Sequence, residues 1–294
     1  MRKHIPYSVQ VTNDNPTCPS SQTISGRCTY HTTGPSLSGN GPFLFTDNDF
    51  IECKHPGSNS FGGAIDCTSG DLTIMRCSFV KCYTGRRGGA VSFQSTGLCL
   101  QEDNLYFGCT CGTHSGAFDS LVVEKHPRHD QKRCSFIHNT ATTYYGHYCL
   151  EYPSIVNVDS NIFIHGRSTG TDHAGTVINY HSQQPVLYSN CVFVDGLAYN
   201  SGGLSFLSYD NYRDAAFSVN FCFFSNNYNT NGLAYEIYFD GYTSTKARKD
   251  YIVHSFSATK NSKVFIQNKS PQEQDWLPLG TLSSLKLRGE SASS

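Results

Sequence analysis

Short runs of alternating apolar and polar residues, such as LTIMRCSF (72–79) and AAFSVNFCFF (215–224), recur along most of the chain, broken by glycine, asparagine and threonine. Alternation with period two is the signature of strands, and no stretch carries a convincing helical period. The glycine before an alanine-like position falls at Gly63, Gly89, Gly116, Gly146, Gly175 and Gly202, with Asn231 in the equivalent place, at spacings of 26, 27, 30, 29, 27 and 29. The aromatic of CSF-like triplets falls at Phe50, Phe79, Tyr106, Phe136, Phe163, Phe193 and Phe224, with Phe256 as a further member, at spacings of 29, 27, 30, 27, 30, 31 and 32. Two separate marks that keep one period indicate a solenoid in which each repeat stacks on its neighbours.

Strand-like segments exclude most helical repeats, so the expected fold is all-β, a parallel β-helix with equivalent positions stacked roughly 4.8 Å apart. Ile65, Val91, Phe118, Tyr148, Val177, Leu204 and Leu233 then form one inward column, and Cys67, Phe93, Leu150, Phe206 and Tyr235 the next. The doubled glycines of FGGAIDC and RGGAVSF mark a corner, where φ > 0 and a close backbone approach are needed. Two residues before the aromatic runs a structural ladder of Asn48, Cys77, Asn104, Cys134, Asn161, Cys191 and Cys222. Three after it runs another of Cys53, Cys82, Cys109, Asn139, Gly166, Gly196 and Asn227. Asparagine suits such ladders because it hydrogen-bonds along the stack and tolerates αL turns, and cysteine fills the same space. The expected division is an N-terminal cap or irregular coil over 1–44, the repeat domain over 45–262, and a C-terminal cap with a polar tail over 263–294.

Composition supports this picture without naming a partner. With 294 residues, 38% hydrophobic and 15% charged, the chain can bury a sizeable core. A net charge of -1 gives no hint of nucleic acid as a partner. No apolar run approaches the roughly 20 residues of a membrane span, and the start has no apolar signal-like region. Oligomeric state and completeness are left open by the sequence. The NKS triplet at Asn268 is a chance-level glycosylation signal.

GGAI (Gly62–Ile65) and GGAV (Gly88–Val91), with FIHN (Phe136–Asn139) and FSNN (Phe224–Asn227), resemble the GGA[ILV] and F-x-x-N tetrapeptides of polymorphic outer-membrane protein repeats. The likeness covers about residues 45 to 260. It implies a right-handed parallel β-helix solenoid, pectin-lyase-like, of about seven coils of roughly 29 residues. It also implies an extracellular or cell-surface setting, because such repeats form passenger domains of bacterial adhesins, and cysteine-rich versions occur in protist surface proteins. The chain departs from the pattern where Cys53, Cys82 and Cys109, and two glycines, replace the asparagine.

Several residue sets bear on chemistry. Thirteen cysteines fit either a ladder of small buried thiols, which the packing columns favour, or disulfides between neighbouring coils. The CTC at Cys109 and Cys111 lacks the second pair that a zinc site needs. His138 and His165 share a polar column with Glu52, Lys81 and Asp195, and a solvated face is the simpler reading; no metal or cofactor is implied. Asp66 and Asp119 share a repeat position two coils apart and are the only candidate catalytic carboxylates. The adjacent aspartates and the N-T-D, G-H-G and R-I-K patterns of polygalacturonase-like enzymes are missing. Insertions collect between glycine and the next aromatic, in 123–133, 207–214 and 240–250, which makes Lys125, Arg128, Arg133, Tyr209, Tyr212, Arg213, Tyr242, Lys246 and Arg248 candidate binding residues. The expected function is a non-enzymatic, adhesin-like module that binds a host-cell or glycan ligand through loops on one side. A polysaccharide lyase or glycoside hydrolase is the alternative, and a structural fragment of a larger protein the third.

Overall fold

A computed structural model describes residues 23–25, 29–31, 36–38, 42–121, 128–151, 155–170, 175–180, 186–199, 201–208, 216–230, 232, 235–241, 250–259 and 263–266. One coil conveys the plan. Strand Asp71–Met75 is followed by Arg76 and Cys77, strand Ser78–Val80 by Lys81 and Cys82, and then come the two-residue strand Tyr83–Thr84, a connection, and strand Val91–Phe93. The next coil begins at Leu98.

Equivalent strands pair in parallel from coil to coil, as in Val91 with Ile65 and Phe118, or Tyr106 with Phe79 and Phe136. This builds a nine-stranded sheet, a seven-stranded sheet of short strands, and a sixteen-stranded sheet that covers two faces. The two faces count as one sheet because strand Ala216–Ser225 runs through their shared corner and pairs on both. No helix occurs among the described residues, and so none is long and apolar enough to cross a membrane. The parallel β-helix expected from the repeat is the observed fold.

The tube is filled by stacked columns. Phe50, Phe79, Tyr106, Phe136, Phe163, Phe193 and Phe224 lie one above another, with successive ring centroids 4.8, 4.7, 4.5, 5.0, 4.9 and 4.7 Å apart. All are buried. The doubled glycines do both things a corner asks of them. Gly62 and Gly88 have φ of 54° and 63°, and a Cβ on Gly63 would lie 2.2 Å from the Gly89 carbonyl oxygen of the next coil.

The ladders work differently from the expectation. The αL residue is the one before each ladder residue: Asp47, Arg76, Asp103, Arg133, Ser160, Asn190 and Phe221 at one corner, with φ of 51° to 60°. The ladder residues themselves point inward and are buried. Because asparagine and cysteine alternate through Asn161, the amides do not meet. Asn104 and Asn161 instead reach backbone on an earlier coil: Cys77 N–H donates to Asn104 Oδ1 (2.9 Å) while Asn104 Nδ2 donates to the Ile74 carbonyl (2.9 Å). Cys134 N–H does the same to Asn161 Oδ1 at 2.7 Å, so asparagine serves here as a buried cap for corner backbone.

Three other expectations need correction. The coil continues past 45–262 on both sides, since Thr23–Ser25 pairs with Leu44–Thr46, Tyr30 with Phe50, and Val264 with Ile237. Tyr30 occupies the aromatic position only twenty residues before Phe50, which hides it from a period of 29. In the inward columns the neighbours of Leu204 and Phe206 are Ile237 and Phe239, four residues beyond the expected Leu233 and Tyr235. Leu233 lies outside the described residues. Phe256 pairs with Phe223 rather than Phe224, because strand Asp250–Ser257 has one residue fewer at the corner.

Candidate functional site

The nine-stranded sheet is unusual on its outer side. Its outward residues include Ser92, Asp119, Cys149, Ser205 and Tyr238, and all are buried. Tyr145, Cys149, Leu207 and Tyr238 form a second apolar cluster there, with Tyr144 packed against it. Beside this cluster sits a buried ion network. Arg87, on the connection leading to strand Val91–Phe93, places Nη1 3.2 Å from Asp119 Oδ1 and Nη2 2.9 Å from Glu151 Oε1, on the two following coils. Ser115 donates to the other Asp119 oxygen (2.9 Å).

Burial works against the Arg87 charge, and the carboxylates of Asp119 and Glu151 more than offset it. Burial raises the Glu151 carboxyl to about 7, with Arg87 opposing the rise and Asp119 adding to it. His114, at the same edge and 4.8 Å from the Tyr144 ring, is pushed down to about 4 by burial.

Asp66 and Asp119 do occupy one repeat position two coils apart, each paired with Ser92. Their environments differ. Asp66 is half-buried, accepts a hydrogen bond from Gln94 Nε2 (3.1 Å), and has its carboxyl raised by burial. Asp119 is 1% exposed, with both oxygens engaged by Arg87 and Ser115. The partner that the structure gives Asp119 is therefore Glu151 through Arg87, a contact across 64 residues between Arg87 and Glu151 that no local pattern signals.

The binding candidates divide. Lys125, Tyr209, Tyr212, Arg213, Tyr242, Lys246 and Arg248 lie outside the described residues. Arg128 and Arg133 are not on a loop: Arg128–Lys132 is a strand of the coil, and Arg133 is its αL corner. Within that strand His129 and Gln131 point inward. His129 Nε2 is 3.1 Å from Ser120 Oγ, and Gln131 Nε2 donates to Gln101 Oε1 at 3.1 Å. Arg133 is engaged by Asp103 and Glu102, and Arg128 by Asp130 (2.8 Å). Polar residues at inward positions made this strand read as an insertion.

His138 and His165 stack at 4.6 Å with rings 3° from parallel, and His165 Nε2 is 3.6 Å from Asp195 Oδ2. Stacked imidazoles present their faces to one another rather than converging nitrogens, and no group of three potential ligands is placed to hold a metal among the described residues. The eleven described cysteines are buried, and none forms a disulfide with another. Cys82 and Cys109 each direct Sγ at a carbonyl of the preceding coil, Phe50 (3.5 Å) and Phe79 (3.4 Å). No family model, curated protein or solved structure matches this chain. Any assignment of function therefore rests on the geometry alone.

One surface was missed by reading the sequence. The strands that carry the aromatic stack bear apolar residues on their outer side as well, Ile51, Val80, Phe107, Ile137, Ile164 and Val194 in one column. Phe107 and Ile162 are exposed, and the corner residue Phe221 is 59% exposed. The signal was present in unbroken apolar triplets, LYF, IFI and VFV, where alternation would have put polar residues at both flanks.

Proposed function

We propose that the chain is a non-enzymatic recognition module of a surface or extracellular protein, binding a macromolecular or glycan ligand along the corner that follows the nine-stranded sheet. The supporting observation is where coil length varies. Two corners are the same two-residue αL unit on coil after coil. The connections from the nine-stranded sheet to the next coil instead span 68–70, 94–97, 122–127, 152–154, 181–185, 209–215 and 242–249, from three residues to eight. The connections that lead into the nine-stranded sheet vary too, from two residues (199–200) to nine (56–64), so the variation sits at the two edges of this sheet, and variable edges on a rigid scaffold are the arrangement that recognition surfaces use. The neighbouring charged groups argue for binding over catalysis, since Asp119 is buried and its oxygens are engaged by Arg87 and Ser115.

Replacing residues 122–127 and 209–215 with Gly/Ser connections of equal length tests this. The replacement stops at 127 so that the core strand Arg128–Lys132 stays intact. Binding to cells or to arrayed glycans is expected to be lost while the circular dichroism and unfolding midpoint hold. Binding that survives both replacements contradicts the proposal. Polysaccharide cleavage by the parent, lost in Asp66→Asn or Asp119→Asn, replaces it with the enzyme reading.

A further inference from the structure

The outer side of the seven-stranded sheet carries cations without acids. One outward column climbs it from Lys54 through Tyr83, Thr110, Thr140 and Arg167 to Tyr228, in register from coil to coil. The connections that carry the chain on to the nine-stranded sheet add Arg86, His114, Tyr144 and Tyr199. Lys54, Arg86 and Arg167 are exposed, and among the described residues no carboxylate pairs with any of them. No Asp or Glu occurs in 54–64, 83–90, 110–117, 140–147, 167–170, 197–203 or 228–230, although the chain holds 23 acidic residues against 22 Lys and Arg. Asp172 lies outside the described residues. The acids at the borders are engaged: Glu52 is 3.8 Å from Lys81, Asp195 is 3.6 Å from His165, Asp66 accepts a hydrogen bond from Gln94, and Arg87 holds Asp119 and Glu151. We propose that this side binds an anionic polysaccharide laid along the coil axis. It is a second surface and does not depend on the recognition reading.

Charge selects an anion, and spacing selects its kind. From Lys54 to Arg167 the column climbs four steps of roughly 4.8 Å, with Arg86 beside it. A nucleic acid duplex, with one negative charge per roughly 1.7 Å, would leave most of its phosphates unmet there. An anionic membrane gains only about 1 kcal/mol per cation at its surface, and the basic cluster that such binding uses is missing from this side. An acidic peptide advances roughly 3.3 Å per residue and falls out of step with the rungs within two residues. A sugar in an extended chain is about as long as one rung is tall, so one unit meets each coil. An acid group on alternate sugars then supplies about as many anions as there are cations.

The same side offers what sugar rings need. Tyr199 and Tyr228 are exposed on successive coils, and the Tyr144 ring lies 4.8 Å from that of His114. The Arg86 guanidinium stands 5.3 Å over the Phe61 ring, which positions it while leaving its donors for a carboxylate or sulfate. Thr142 and Thr169 donate to the carbonyls of Gly112 and Thr142 on the preceding coils, which leaves their exposed oxygens as acceptors for sugar hydroxyls.

Retention of the full chain on immobilised heparin and hyaluronan is the test, with dextran as the uncharged control. Binding to at least one of the two anionic chains is expected, weakening as salt is raised, with none to dextran. Arg86→Glu and Arg167→Glu should each weaken it by roughly tenfold or more at an unfolding midpoint close to the parent. Tyr199→Ala should weaken it without changing its salt dependence. Lys132→Glu makes the same charge change at an exposed position of the sixteen-stranded sheet and should leave binding as it is. Replacing 122–127 and 209–215 should leave it as well, so the two surfaces are read on separate ligands, uncharged glycans there and anionic chains here. No binding to either anionic chain overturns the proposal. Equal weakening by Lys132→Glu overturns it by reducing the effect to net charge. Tighter binding to duplex DNA, polyglutamate or phosphatidylserine vesicles overturns it in favour of another polyanion.

Discussion

Tyr148 and Tyr106 sit in neighbouring inward columns, both fully buried, and differ in what their hydroxyls meet. Tyr106 donates to Gln101 Oε1 at 2.7 Å, whereas the Tyr148 hydroxyl has no hydrogen-bond partner among the described residues. An unpaired buried hydroxyl costs about 1–3 kcal/mol, and a paired one contributes about 1 kcal/mol. The same substitution therefore has opposite signs at the two sites. Tyr148→Phe should raise stability by about 1 kcal/mol and Tyr106→Phe should lower it by a similar amount, read as shifts of the urea midpoint at unchanged slope. Alternation was enough to place Tyr148 in its column. Whether its hydroxyl finds a partner depends on chain tens of residues away.

At the scale of elements, the Arg87 network ties three successive coils together outside the tube. Removing its cation leaves two buried carboxylates facing each other, so Arg87→Met is expected to cost roughly 3–5 kcal/mol. Glu151 adds a pH dependence whose sign follows from its raised carboxyl. The folded chain keeps the proton up to about 7, against a reference of 4.5, so between those values it binds more protons than the unfolded chain. Stability therefore falls as pH rises through that window. Glu151→Gln should flatten this slope in urea titrations from pH 4.5 to about 7. Glu236 is raised in the same direction by burial, and it accepts hydrogen bonds from Asn227, Ser257 and Thr259. A slope that persists in Glu151→Gln and disappears in Glu236→Gln would move the effect to the last coils.

Across the whole molecule, cysteines supply much of the packing. Burial pushes the Cys77 thiol up to about 11, and those of Cys67, Cys111 and Cys134 to about 12, so none of these is a thiolate at neutral pH. Native protein should resist alkylation at all eleven described cysteines, and denaturing, non-reducing conditions should label every one, as counted by mass spectrometry. Labelling that falls short by pairs of cysteines would mean disulfides between neighbouring coils. The stacked columns also explain the departures from the asparagine pattern. A Cβ on Gly166 would lie 2.4 Å from the His147 ring, so the space an asparagine would need is already filled.

The chain by itself determined the solenoid, because one short-range rule, strand alternation with a fixed period, is repeated often enough to be read without any knowledge of contacts. It determined most inward residues for the same reason, and the corner glycines because only they combine φ > 0 with a close approach. It misplaced the coil limits, the last column members and the strand Arg128–Lys132, where local spacing or polarity departs from the repeat. Only the tertiary structure decided that Asp119 answers to Arg87 and Glu151, that ladder amides cap backbone on earlier coils, and that one outer column is apolar over six rungs. Those outcomes depend on which residues of different coils come to lie side by side, and stacking, rather than sequence neighbourhood, sets that.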